Sequence, residues 1–184
     1  MKPKLLIVTG SPFKFGDLSL RLNEFFDCEQ KVFNEPEIQG DPEEIIRHKL
    51  KTVYGIFKQP VLVDDVSVHM DALNGFPGPY MKDFWKCFTP QELGTKFAGS
   101  RISATCRLGL CRGEGDIVIA EGTFHGTIIK PKNNDHQGRQ FELFVQLDGT
   151  DKVMLDFSPE ERDKHSHRGQ AIRNLLKILK KEKK

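Results

Sequence analysis

Apolar and polar positions change their period several times along this chain, and each change predicts an element. Residues 4–9 form a short β-rich run closed by Gly10 and Ser11-Pro12. Residues 17–26, with Leu18, Leu20, Leu22 and Phe25-Phe26, are expected to be helical, and residues 28–33 to return as a strand. Gly40-Asp41-Pro42-Glu43-Glu44 combines an N-cap, a proline at the first helical position and acids in the first turn. The helix that starts there should run to about Phe57, because Ile45, Ile46, Leu50, Val53, Tyr54 and Phe57 recur at helical spacing and give one buried face. Gln59-Pro60 stops it, and residues 61–66 are apolar on both faces, as a central strand requires.

Asn74-Gly75-Phe76-Pro77-Gly78-Pro79 is a rigid turn segment, after which residues 81–88 and 90–97 are expected as short helices. Residues 103–111 and 117–129 have strand composition around the turn Arg112-Gly113-Glu114-Gly115-Asp116, which predicts a hairpin. Residues 130–139 are polar and turn-rich, a surface loop. Ser158-Pro159-Glu160-Glu161 opens a turn or short helix. Residues 166–180 form the final helix, with Ile172, Leu175, Leu176 and Leu179 on one face, followed by a solvated Lys180-Lys181-Glu182-Lys183-Lys184 tail. Strands alternating with helices in this way predict an α/β class.

The 184 residues suffice for one domain with a core, 1–184, with room for a small lobe and not for two full domains. A formal net charge of +2 favours small anionic ligands weakly. There is no dense basic stripe of the kind that marks a DNA binder, so no direct nucleic-acid binding is expected. No apolar run approaches the roughly 20 residues of a membrane span. Met1-Lys2-Pro3-Lys4 leads into a strand and not into a secretory apolar segment, so a soluble cytoplasmic protein is expected. Cys28, Cys87, Cys106 and Cys111 show no metal-binding or paired spacing and are expected as reduced thiols. His165 and His167 have no third metal ligand nearby in sequence.

Three stretches carry chemistry. Val61-Leu62-Val63-Asp64-Asp65-Val66 is an apolar strand expected to end in paired aspartates, whose like charges need a cation to relieve them. Carboxylate oxygens suit Mg²⁺, which is usually held by one or two carboxylates and substrate phosphates. Ser166-His167-Arg168-Gly169 supplies cations near the C-terminal end. Thr9-Gly10-Ser11-Pro12-Phe13-Lys14 lies where a strand hands over to a helix, a place suited to phosphate. Read alone, it fits an ordinary glycine turn with a surface lysine better.

Taken together, these motifs resemble a known family. Thr9-Gly10-Ser11-x-x-Lys14-x-x-Asp17 is similar to the N-terminal signature of the inosine triphosphate pyrophosphatases, the Ham1-like noncanonical purine NTP pyrophosphatases. Glu37-Ile38-Gln39-Gly40-Asp41-Pro42 with Lys49, then Asp64-Asp65, Leu73-Asn74-Gly75-Phe76-Pro77-Gly78-Pro79-Tyr80 with Lys82, and Ser166-His167-Arg168 follow in that family's order. The resemblance implies an elongated, mixed-sheet, two-lobed α/β fold with a central nucleotide cleft, the fold shared with the Maf group. It also implies a homodimer and Mg²⁺-dependent hydrolysis, with Mn²⁺ as substitute, of ITP, dITP and XTP to the monophosphate and pyrophosphate, sanitising the nucleotide pool. By position Asp65 would be general base and metal ligand, Glu37 the second metal ligand and Asp64 a supporting carboxylate. Lys14, Lys49 and Lys82 would hold phosphates, Lys14 acting with Asp65 in catalysis, and Thr9, Gly10 and Ser11 would donate hydrogen bonds. His167 and Arg168 would face the base beside Ser166, itself a good N-cap residue.

Departures from the family pattern gather around the ligand. Ser11 replaces an asparagine, and Val66 a serine or threonine that contacts substrate. The base-binding loop falls at Arg139-Gln140-Phe141-Glu142-Leu143 without the family's glycine and proline, where Phe141 can still stack on a purine and Glu142 keeps a carboxylate. Arg162 stands where a lysine is usual, which keeps the charge and changes the hydrogen-bond fork. Two alternatives stand beside the pyrophosphatase reading: a nucleotide-binding homologue with lost or altered catalysis, and a Maf-like pyrophosphatase acting on other modified nucleotides. The latter's N-terminal signature is absent.

Overall fold

The computed structural model describes residues 2–34, 36, 38–132 and 140–182. They fall into two compact units, one of Met1–Asp65, Arg107–Glu121 and Ala171–Lys184, the other of Val66–Cys106 and Gly122–Gln170.

In the first unit β1 (Lys4–Val8) lies parallel to β2 (Asp27–Lys31) and to the start of β3 (Val61–Met70). Parallel neighbours require crossover connections, and these are α1 (Pro12–Leu22) and α2 (Pro42–Phe57). Helix α1 begins at Pro12 and not near residue 17, because Ser11 is its N-cap and Pro12 pre-sets the first turn. Helix α2 starts where expected: the Asp41 carboxylate accepts from the backbone N–H groups of Glu43 and Glu44, and Glu44 reaches back to the Asp41 N–H. It ends at Lys58, held in the left-handed region at φ 52°. Ile46, Leu50 and Val53 of α2 bury against Leu6, Val61 and Val63. The facing strand comes so close that a Cβ on Gly109 would lie 2.6 Å from Leu50 Cδ1.

The long pair β5 (Arg101–Gly113) and β6 (Asp116–Ile128) is the expected hairpin. Its turn is tied by Arg112, which donates to Asp116 and to Glu182 at the end of α6 (His167–Glu182). Lys181 and Glu182, expected in a tail, continue the helix; Lys183 and Lys184 lie outside the described residues.

In the second unit the latter part of β3 pairs antiparallel with β4 (Pro77–Gly78), and β6 pairs antiparallel with β7 (Val145–Leu147). Two short helices, α3 (Met81–Cys87) and α4 (Pro90–Lys96), follow the Asn74-Gly75 turn, and α5 (Pro159–His165) precedes α6. Val68, Met70, Phe84, Leu93, Phe124, Phe144 and Met154 form the core of this unit. The strands make one mixed sheet of seven in the order β2-β1-β3-β5-β6-β7, with β4 on β3, so the α/β class is as expected. No helix among the described residues is long and apolar enough to cross a membrane, and the four cysteines are free thiols.

Candidate active site

Asp64 and Asp65 do not end their strand; β3 continues through Ser67 and His69 to Met70. Successive residues of a strand face opposite sides, so the two carboxylates part company. Asp65 shares a face with Val61 and Val63, the face that α2 covers, and its Oδ1 accepts from Lys49 Nζ of α2 at 2.6 Å. Asp64 meets Lys14 of α1, Nζ to Oδ2 at 2.8 Å. Both carboxylates are shielded, with 4% of the Asp64 side chain and 10% of the Asp65 side chain accessible. Here two lysines, one from each crossover helix, relieve the paired charges.

The loop that delivers Lys14 is ordered by its own side chains. The Ser11 N–H donates to Thr9 Oγ1 at 3.2 Å, and the Lys14 N–H makes a long 3.4 Å bond to Ser11 Oγ. Gln30 Nε2 holds the Thr9 carbonyl at 3.1 Å. A Cβ added to the exposed Gly10 would meet no atom within 4 Å, which leaves the backbone open to a ligand there. Glu37 lies outside the described residues.

The base-side candidates belong to the second unit. Phe141 sits on a short 3-10 turn, Gln140–Leu143. Its ring meets His167 at 5.7 Å and Phe124 at 6.0 Å between centroids, and lies nearly parallel to Trp85. His167 is 2% exposed and stands edge-on to Phe124 at 5.3 Å. Glu142, also buried, forms an ion pair with Arg162 of α5, whose other guanidinium nitrogen donates to the Phe157 carbonyl at 3.2 Å. Ser166 is the N-cap of α6, its Oγ accepting from the Gly169 N–H at 3.0 Å. Glycine is required at 169, where a Cβ would sit 2.0 Å from the Asp163 carbonyl oxygen.

Of the remaining candidates, Lys82 is exposed in the first turn of α3, beside Asp83, which Lys86 already binds at 2.6 Å. That hydrogen bond holds the Asp83 carboxyl below the usual carboxylate range. Val66 is half-buried against the aromatic core of the second unit, and Arg168 is half-buried in the first turn of α6. Arg139 lies outside the described residues. Sequence reading passed over Trp85 and Phe124, which complete the ring cluster around Phe141 and His167. The signal for Trp85 was its place in the helical series Met81, Phe84, Trp85, Phe88.

Comparison with known proteins places the chain in a family. The chain is 32% identical over 183 residues to the inosine triphosphate pyrophosphatase of Schizosaccharomyces pombe, covering 97% of this chain and 96% of that protein. It is 34% identical over 160 residues to the inosine triphosphate pyrophosphatase of Encephalitozoon intestinalis, covering 83% and 81% of the two chains. Its fold is similar to that of a HAM1 protein from Coxiella burnetii, with a TM-score of 0.81 at 20% identity over 98% of this chain and all of that one. The Ham1 family model matches residues 5–178, and the chain belongs to the Ham1 family.

Proposed function

We propose that this chain hydrolyses noncanonical purine nucleoside triphosphates, ITP, dITP and XTP, to the monophosphate and pyrophosphate, and so clears them from the nucleotide pool. The observation that carries the reading is the shielded Lys49–Asp65 pair on β3, the strand that pairs with β1 where the Thr9 to Lys14 loop begins. Relatives named inosine triphosphate pyrophosphatase, matched over most of their length, support it.

In this reading water attacks the α-phosphorus, its proton passes to Asp65, and the bond from the α-phosphorus to the bridging oxygen breaks as pyrophosphate leaves. Lys49 fixes the direction of the Asp65 carboxylate. Lys14 and the loop groups of Thr9, Gly10 and Ser11 hold the triphosphate oxygens, helped by the N-terminal end of α1.

The donor set fits Mg²⁺. Asp65 offers hard carboxylate oxygens, and a cationic ammonium already stands on one of them. Mg²⁺ takes one or two carboxylates and leaves the rest of its shell to phosphate and water. Asp65 and Glu37 would hold the ion, with Asp64 supporting through Lys14 and Mn²⁺ as substitute. Bound there, it would neutralise charge on the departing pyrophosphate.

Phe141 stacks on the purine, and Arg168 and His167 offer donors to a 6-keto oxygen. Adenine presents an amino group instead and leaves such a donor unsatisfied, which costs roughly 1–3 kcal/mol per buried group. We further propose that the protein is cytoplasmic and, as the family resemblance implies, works as a homodimer.

Pyrophosphate release with Mg²⁺ from ITP, dITP, XTP, GTP, ATP, CTP and UTP tests the proposal. ITP, dITP and XTP should exceed ATP in kcat/KM by roughly tenfold or more. Equal rates on ATP and ITP would overturn the base preference, and release from none would overturn the activity.

A further inference from the structure

Phe141 is the ring on which the purine rests in the reading above, yet its backbone gives little to fix the plane of that ring. It lies in a four-residue 3-10 turn, Gln140–Leu143, and the hydrogen bond from the Phe144 N–H to the Phe141 carbonyl is long at 3.3 Å. The plane must be set by neighbouring side chains.

Among the described residues three rings reach it, and they differ in kind. Phe124 is tilted by 31° and His167 by 62°, so each presents an edge or a slant. Trp85 alone among them is near-parallel, within 10°, at a centroid separation of 6.4 Å, inside the range of offset stacking. Trp85 is anchored in turn: it stands at 70° to Phe144, which is fully buried, with centroids 6.0 Å apart, and it contacts Phe84 at 6.0 Å. Core packing thus fixes Trp85 on α3, and Trp85 offers Phe141 a parallel face.

We infer that Trp85 is a positioning residue of the nucleobase site, holding Phe141 in the plane on which a purine stacks. This rests on the reading that Phe141 receives the base. The effect belongs to the bound state of the planar base and not to the triphosphate. It therefore appears in KM and leaves kcat nearly unchanged.

The chain has one tryptophan, so the residue also reports on itself. The experiment measures ITP hydrolysis by the unmodified chain, Trp85→Leu, Trp85→Phe, Phe141→Ala and the Trp85→Leu/Phe141→Ala double variant. Alongside it, tryptophan emission is followed as ITP, or inorganic tripolyphosphate as the base-free probe, is titrated into Asp65→Asn protein. Trp85→Leu should raise KM for ITP by roughly five- to tenfold, the range of an aromatic pair, with kcat within about twofold. Trp85→Phe should restore most of it, and Trp85→Leu should add little to Phe141→Ala, since coupled residues are not additive. Emission should change saturably with ITP and stay flat with tripolyphosphate.

An unchanged KM in Trp85→Leu, or a full additional loss in the double variant, overturns the inference and leaves the hydrolase reading standing. So does a flat emission titration in protein that hydrolyses ITP before the Asp65 substitution. An unmodified chain that does not hydrolyse ITP overturns the reading, and the inference with it.

Discussion

Lys49 Nζ stands 2.6 Å from Asp65 Oδ1, joining the middle of α2 to the middle of β3 with only about a tenth of either side chain accessible. Removing one member of a buried ion pair strands the other charge. Lys49→Met should therefore lower unfolding stability by about 3 kcal/mol, while Lys49→Met combined with Asp65→Asn should recover most of that loss. Urea unfolding of the four proteins in the cycle measures it, and additive losses would show that the two side chains do not interact.

At Gly169 the usual helix rule reverses. Glycine to alanine inside a helix ordinarily stabilises by up to about 1 kcal/mol. Here the new Cβ would lie 2.0 Å from the Asp163 carbonyl oxygen, and backbone atoms cannot step aside as a flexible side chain would. Gly169→Ala should destabilise by about 2–3 kcal/mol, read as a fall in Tm. A rise in Tm would mean that the junction of α5 and α6 is looser than described.

The opposite holds at Lys58, the left-handed residue that ends α2 at φ 52°. Lys58→Gly removes the Cβ conflict of that conformation and should raise stability by about 0.5–1 kcal/mol. Thermal unfolding checks it, and no gain would place the strain elsewhere.

Arg101 donates to both carboxylate oxygens of Asp148, at 2.7 and 2.5 Å, and these hydrogen bonds hold the Asp148 carboxyl below its ordinary range. A lowered folded pKa means that the contribution is present above the unfolded value, about 3.9, and is lost as pH falls through the folded value. The pair is half-exposed, so the effect is small and weakened by salt. The stability difference between the unmodified chain and Arg101→Met should be constant above about pH 5 and shrink below about pH 4. A difference that grows on acidification would contradict the assignment.

How far the sequence could be read depended on whether the signal was local. Helix α2 announced itself because Asp41, Pro42 and Glu44 are a cap, a first-turn proline and a reciprocal partner within a few residues. The hairpin of β5 and β6 was equally plain around Gly113 and Gly115. Helix α1 starts earlier than the expected residue 17 because Ser11-Pro12 reads as the close of a strand as well as the start of a helix, although Phe15 already stands at helical spacing from Leu18 and Leu22. β3 runs past its expected end at Val66 because carboxylates look like a strand's end unless their lysine partners are known, and those come from helices distant in sequence. The same reason hid the division of Asp64 and Asp65 between two faces. Trp85 counted only as one more apolar residue of α3, since its relation to Phe141 arises from packing across the fold.

The central claim is that Asp65 drives cleavage between the α- and β-phosphates of a noncanonical purine nucleotide, and phosphorus NMR of the products from ITP tests it most directly. The unmodified chain should yield IMP and pyrophosphate with no IDP, and Asp65→Asn should yield neither while still binding ITP. IDP and inorganic phosphate as products, or undiminished turnover by Asp65→Asn, would contradict the account.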